Sequence, residues 1–188
     1  MNDVRPIHGP IHDLHALASR GASRRRAEAL APSCSGLNFY EIDHGLRSLL
    51  PLYMPEALLG HLDRHLGDLG ELAGGRLGEL SDTAERHPPQ LHPRDRYGRD
   101  EEWVECHPAY REMERIAFGR FGMHAMTHRP GVLGWPEVMP TLAKQVFFYL
   151  FSQSEFGVLC PVNLTDCTSD LLERHGSEEL KARYLDQQ

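Results

Sequence analysis

The sequence predicts an all-α fold, a helical bundle with one short hairpin-like loop. Two observations support this prediction. Several segments repeat apolar residues at three- and four-residue spacing, as the buried face of an α-helix does, and only one short segment alternates as a strand does. A chain of 188 residues with 40% hydrophobic and 25% charged side chains contains enough apolar material for one core.

The chain is predicted to divide into a mobile leader, residues 1–36, and a helical domain, residues 37–188. The leader contains three prolines, a run of three arginines at positions 24–26 and little periodic apolar content. Such a segment buries too little surface to offset the entropy of ordering.

Helical periodicity begins strongly after Pro55, where leucines recur on one face from Leu58 to Leu69. Glycines at positions 67, 70, 74 and 75 weaken the continuation, so we expect one broken helix or a helix pair. The sequence His87-Pro88-Pro89 ends this region.

The next stretch is polar and turn-rich up to Cys106, which predicts an exposed loop with a short hairpin. Further helices are predicted from Pro108 to about Gly122 and from about Pro140 to Ser154. Aromatic residues lie nearly all round the second of these, which predicts central burial. After a stop at His175-Gly176, Ser177 is the predicted N-cap of a last helix.

Charge and targeting patterns exclude some function classes. The 20 basic and 27 acidic residues give a net charge of −7. A domain with this negative charge is not expected to bind nucleic acid. No apolar run approaches the ~20 residues of a membrane-spanning helix, and no signal or transit peptide is recognisable. We therefore expect a cytoplasmic protein that makes no membrane contact.

Metal and nucleophile motifs are not predicted. The pairs His61/His65 and His124/His128 place two imidazoles on one helix face, but neither has the glutamate of a zinc hydrolase helix, and both are interpreted as solvated surface. The four cysteines match no zinc or redox spacing and are expected to be reduced. From spacing and composition alone, no catalytic residue and no metal site are assigned.

The carboxyl-terminal third resembles the end of the amino-terminal helical domain of acyl-CoA dehydrogenases. The similar residues are Phe151–Thr165, Leu171–Ser177 and Lys181–Leu185, and the most specific run is Cys160-Pro161-Val162-Asn163-Leu164-Thr165. The stretch Tyr97–Tyr110 is similar to the branch of that family that includes the alkylation-response flavoproteins. The resemblance covers roughly residues 38–185.

The resemblance implies an FAD-dependent oxidoreductase that oxidises the α,β C–C bond of an acyl-CoA. Such enzymes contain a helical domain, a middle β-domain and a carboxyl-terminal bundle, and this chain is expected to be truncated before the last two. The catalytic base would then lie elsewhere, and FAD would not be retained by this chain. The implied partners are the acyl-CoA substrate and the missing domains, in a homo-oligomer when complete.

The resemblance also implies a wall of the substrate and flavin channel, formed by Cys160, Pro161, Asn163, Leu164 and Thr165. In this interpretation Pro161 fixes the backbone and the Thr165 hydroxyl caps the following helix. A role in core packing alone remains open for the segment. A non-catalytic helical interaction module derived from the same family remains the alternative function.

Overall fold

The computed structural model describes residues 33–185, so the predicted leader falls almost entirely outside the described part. Residues from Ser35 onward form one compact unit. Its helices are α1 (Phe39–Ile42), α2 (His44–Tyr53), α3 (Glu56–Gly74), α4 (Arg76–Arg86), α5 (Pro108–Glu114), α6 (Thr141–Ser152), α7 (Leu159–His175) and α8 (Glu178–Tyr184). The prediction of a mostly helical fold is confirmed.

The leucine-rich region is a pair of helices that meet at Gly75. Helix α3 buries Leu58, Leu62, Leu66 and Leu69, and α4 buries Leu77 and Leu80. Gly75 ends the first helix and begins the second with a non-helical backbone. The leucine spacing therefore placed the core face correctly, and of the two predicted arrangements the helix pair is the one observed.

Two helices precede Pro55, ahead of the first strong leucine repeat. The Asn38 side chain begins α1 by accepting hydrogen bonds from the backbone N–H groups of Tyr40 and Glu41, and its Nδ2 donates to the Gly67 carbonyl at 3.0 Å. Helix α2 buries only Leu50. Leu46 of the same helix packs on the core while half-buried, and Leu49 and Leu52 are exposed.

The predicted hairpin is present, with strand β1 (Gln90–Arg94) antiparallel to β2 (Asp100–Glu105). Its register shifts between His92 and Arg94. Pro93 lies at the shift and has no N–H to donate to the ladder, and Glu102 on the other strand adopts a left-handed φ of 48°. The proline accounts for this bulge.

Helix α5 begins with Pro108, and His107 Nδ1 accepts a hydrogen bond from Ala109 N at 3.1 Å. A π-helical turn (Arg115–Arg120) follows it directly. The chain then runs through tight turns and a short 3₁₀-helix (Val132–Gly134) to reach α6. Phe121, which follows the π-helical turn, packs on Phe147 of α6 at a ring distance of 5.6 Å.

The aromatic pattern predicted that α6 is centrally buried. The helix is central, but one side of it is exposed. Phe147 and Phe151 are fully buried, whereas Tyr149 is 46% exposed. The Tyr149 hydroxyl donates to Asp43 Oδ2 at 2.6 Å, so the ring spans the edge of the core and its polar end reaches solvent. In the described part of the chain, no helix is long and apolar enough to cross a membrane.

Candidate functional site

The predicted wall residues occupy the first two turns of α7 rather than a connecting loop. Cys160 and Asn163 are exposed, Pro161 and Thr165 are half-buried, and Leu164 is 61% exposed. Their backbone is fixed by the helix, while most of their side chains face solvent. The role of this segment as a channel wall stays a prediction.

The proposed cap at Thr165 is wrong. Thr165 lies inside α7, and its hydroxyl donates to the Pro161 carbonyl at 2.9 Å, four residues earlier on the same helix. The Glu155 carboxylate caps the turn that leads into α7: it accepts from Gly157 N at 2.6 Å and from Val158 N at 2.8 Å, and no side chain caps α7 itself. A carboxylate is favourable there because it faces the positive end of the helix dipole.

An exposed apolar stripe continues from this segment along α7. Residues spaced by four, three and four positions share one helix face, and in α7 these are Cys160, Leu164, Cys167 and Leu171. Leu164 is 61% and Leu171 59% exposed, and both cysteines are exposed free thiols. Contiguous apolar side chains left in water indicate a surface that another group covers.

Below the stripe, the opposite side of α7 carries a buried polar cluster centred on Asp166. Lys144 Nζ of α6 lies 2.5 Å from Asp166 Oδ2, and the two side chains are only 7% and 9% exposed. Thr127 Oγ1 donates to Asp166 Oδ1 at 3.0 Å, and His128 Nε2 lies 3.1 Å from the same oxygen. The cluster therefore joins three segments: the turns after the π-helical turn, α6 and α7.

These contacts determine the charge state of Asp166. Burial raises the pKa of its carboxyl, but the hydrogen bonds from Lys144 and Thr127 and the nearby positive charge outweigh burial and hold the pKa below its usual range. Asp166 is therefore ionised at neutral pH and compensates the buried ammonium.

A cleft of about 590 Å³ opens beside this cluster. Its lining combines the buried cluster with the end of the apolar stripe and with charged residues of the last turns of α7, namely Asp170, Glu173 and Arg174. Arg174 Nε donates to Asp170 Oδ1 at 2.8 Å, so these two charges compensate each other. The volume lies in the range of ordinary ligand pockets.

The two histidine pairs contact other parts of the chain. His61 Nε2 lies 3.0 Å from the Leu133 carbonyl, and its ring packs on Trp135 at 5.3 Å. Burial lowers the pKa of His65 and of His124. Both pairs thus pack against the protein rather than lying on a solvated helix face. Among the described residues, no group of three or more metal-binding side chains is placed to hold an ion.

Sequence reasoning missed Thr127, Lys144 and Asp166. One signal was available: Lys144 is one of only two lysines among 20 basic residues, and it lies in the most apolar predicted helix. A lysine at such a position requires a buried partner, but the sequence does not say which carboxylate supplies it.

Comparisons with known proteins agree with this fold. The family model described as the adaptive response protein AidB N-terminal domain matches residues 30–187. The solved structure called "Bd2924 apo-form" superimposes with a TM-score of 0.68 over 83% of this chain at 23% sequence identity, a level that shows the fold alone. This chain spans 30% of the length of that structure. No curated protein sequence is significantly similar.

Proposed function

Because this chain belongs to the AidB N-terminal domain family, part of the acyl-CoA dehydrogenase-like flavoproteins, we propose that it serves as the helical domain of an FAD-dependent oxidoreductase acting on acyl-CoA. The observation that carries the proposal is the family match over residues 30–187, which includes all of α7. In this proposal the chain supplies a wall of the reaction site and no catalytic base.

The reaction would remove two hydrogens from adjacent carbons of the acyl thioester. In such an enzyme, bound FAD would supply the hydride acceptor, and the base for the α-proton would be a carboxylate outside the described residues. The product of the proposed reaction would be the enoyl-CoA. The exposed face of Cys160, Asn163 and Leu164 would exclude water and position the acyl chain.

The described residues fit a wall better than they fit a flavin-holding site. Helix N-termini commonly bind pyrophosphate, but the Glu155 carboxylate lies just before α7, where it accepts from the N–H groups of Gly157 and Val158. Its negative charge would repel a phosphate there. We therefore assign this chain no role in binding FAD.

A second function is favoured by one observation, the exposed apolar stripe of α7. Leu164 and Leu171 are more than half exposed on one helix face. A non-catalytic interaction module would use this stripe to bind a partner protein and would have no need of a flavin. The two functions differ in whether a substitution in the stripe changes turnover or only binding.

The test is to co-express the 188-residue chain with the middle and carboxyl-terminal domains of an AidB-family protein. Cys160→Trp introduces a tryptophan at an exposed position of the proposed wall, and Glu85→Trp introduces the same side chain at an exposed position of α4. We expect Cys160→Trp to lower acyl-CoA turnover at least tenfold with an unchanged melting temperature, and Glu85→Trp to change neither.

Two results would reject the proposal. One is a complex that contains FAD but has no activity towards any acyl-CoA. The other is a Cys160→Trp variant with full turnover. Loss of complex formation in Cys160→Trp, without any flavin bound to the unsubstituted complex, would instead support the interaction module.

A further inference from the structure

His128 lies between two carboxylates of α7, one at each ring nitrogen. Its Nε2 is 3.1 Å from Asp166 Oδ1, and its Nδ1 is 3.3 Å from Glu173 Oε1. The His128 side chain is 10% exposed, and Nδ1 is buried without a hydrogen bond because the approach of Glu173 is poorly aligned. Glu173 is 44% exposed and can rotate, whereas Asp166 is held by Lys144 and Thr127.

A neutral imidazole can satisfy only one of these carboxylates, because it carries a single N–H. Asp166 is ionised and accepts hydrogen bonds, so the neutral ring places its proton on Nε2. The lone pair of Nδ1 then faces the Glu173 carboxylate, and two acceptors meet at 3.3 Å. An imidazolium would donate to both carboxylates at once.

The other charged groups around His128 come from each element that packs near it. On α6, Lys144 is compensated by Asp166. On α7, Asp170 is paired with Arg174. From the segment of His128 itself, His124 lies one turn earlier, and Arg129 follows and donates to the Leu185 carbonyl. Among residues 33–185, the cationic partner of Glu173 within ion-pair distance is His128.

We propose that His128 and Glu173 form a pH-dependent latch that ties the turns at residues 123–128 to the last turns of α7. When His128 is protonated, Glu173 rotates to accept from Nδ1 and closes the latch over the cleft. When His128 is neutral, the two acceptors repel and Glu173 moves into solvent, which opens that side of the cleft. This inference is independent of the proposed enzymatic function.

The sign of the pH dependence follows from the two charges. The latch needs a protonated imidazole and an ionised carboxylate, so its contribution to stability is present only where both charges coexist. It is lost as the pH rises, when the imidazole loses its proton. It is also lost in acid, when the Glu173 carboxylate takes up a proton.

The experiment compares Glu173→Gln with the unsubstituted chain at pH 5.5 and pH 8. Because the side chain is nearly half exposed, the substitution is compatible with folding. We expect it to lower the melting temperature by about 1–4 °C at pH 5.5 and to have little effect at pH 8. Glu178→Gln is the matched control, since Glu178 pairs with Lys181 at 3.1 Å and faces no histidine, so its effect should be equal at both pH values.

Nitrogen NMR of the His128 ring supplies a second measurement that requires no variant. We expect one ring N–H, on Nε2, at pH 8 and an N–H on both nitrogens at pH 5.5. A ring that keeps a single N–H at pH 5.5 would overturn the latch. A Glu173→Gln effect that is the same at both pH values would overturn it as well.

Discussion

Lys144 and Asp166 form an ion pair 2.5 Å long in which neither side chain is more than a tenth exposed. The two residues lie 22 positions apart on different helices, α6 and α7. Asp166 also accepts a hydrogen bond from Thr127 and lies within hydrogen-bond distance of His128. Both of its carboxylate oxygens therefore have polar partners. This pair positions α7, the helix that carries the predicted channel wall, against the core.

Removing the cation of this pair should strongly destabilise the protein. Lys144→Met leaves Asp166 buried without its compensating charge, so we expect a loss of about 3–5 kcal/mol in the free energy of unfolding. Urea denaturation at pH 7 measures the loss. The double variant Lys144→Met/Asp166→Leu removes both charges and should recover most of it. A loss below about 1 kcal/mol in the single variant would contradict the burial of this pair.

The same pair predicts how stability responds to acid. The pKa of Asp166 is lowered in the folded protein, so its contribution is complete above the usual carboxyl range and is lost as the pH falls through the lowered value. The difference in free energy of unfolding between the unsubstituted chain and Lys144→Met should therefore be largest near pH 7. It should shrink at about pH 4 and below. Denaturation curves at pH 7, 5 and 3.5 measure this trend, and a difference that grows in acid would reject it.

Two glycines of α3 should respond in opposite directions to the same substitution. A Cβ at Gly74 would lie 1.7 Å from the Leu37 carbonyl oxygen, whereas a Cβ at Gly67 would meet nothing within 4 Å. Gly74→Ala forces a backbone shift and should cost about 1–3 kcal/mol or more. Gly67→Ala should stabilise by about 0.5–1 kcal/mol, because it removes a flexible residue from a helix interior. Denaturant midpoints measure both changes, and equal shifts would contradict the close approach at Gly74.

The chain by itself should not retain FAD. A flavin site needs donors for the pyrophosphate, and Glu155 occupies the start of α7 with a carboxylate. The purified chain, mixed with excess FAD and passed through gel filtration, should elute without absorbance at 450 nm. Yellow protein in stoichiometric amount would show that this chain holds a flavin site that the described residues do not reveal.

Local patterns of the sequence were sufficient for most helices. The leucine period after Pro55, the hairpin turn cluster and the N-cap at Ser177 all predicted the observed element, because each depends on residues within a few positions of one another. Helix α7 was missed as a continuous helix. Two of its four buried positions are the polar residues Asp166 and Ser169, and these break the apolar period on which prediction relies.

The tertiary structure decided what the sequence left open or misread. The glycines that weaken α3 in the sequence pattern allow the backbone of residues 36–40 to approach the helix closely. One of the histidine pairs interpreted as solvated surface contains His128, which lies between two carboxylates. The identity of the partner of Lys144 also emerged only here. Periodicity and capping depend on neighbours along the chain, so the sequence alone was sufficient for the helices whose buried face is apolar. Charge pairing and close backbone approach depend on residues brought together by folding, so only the packed helices could determine them.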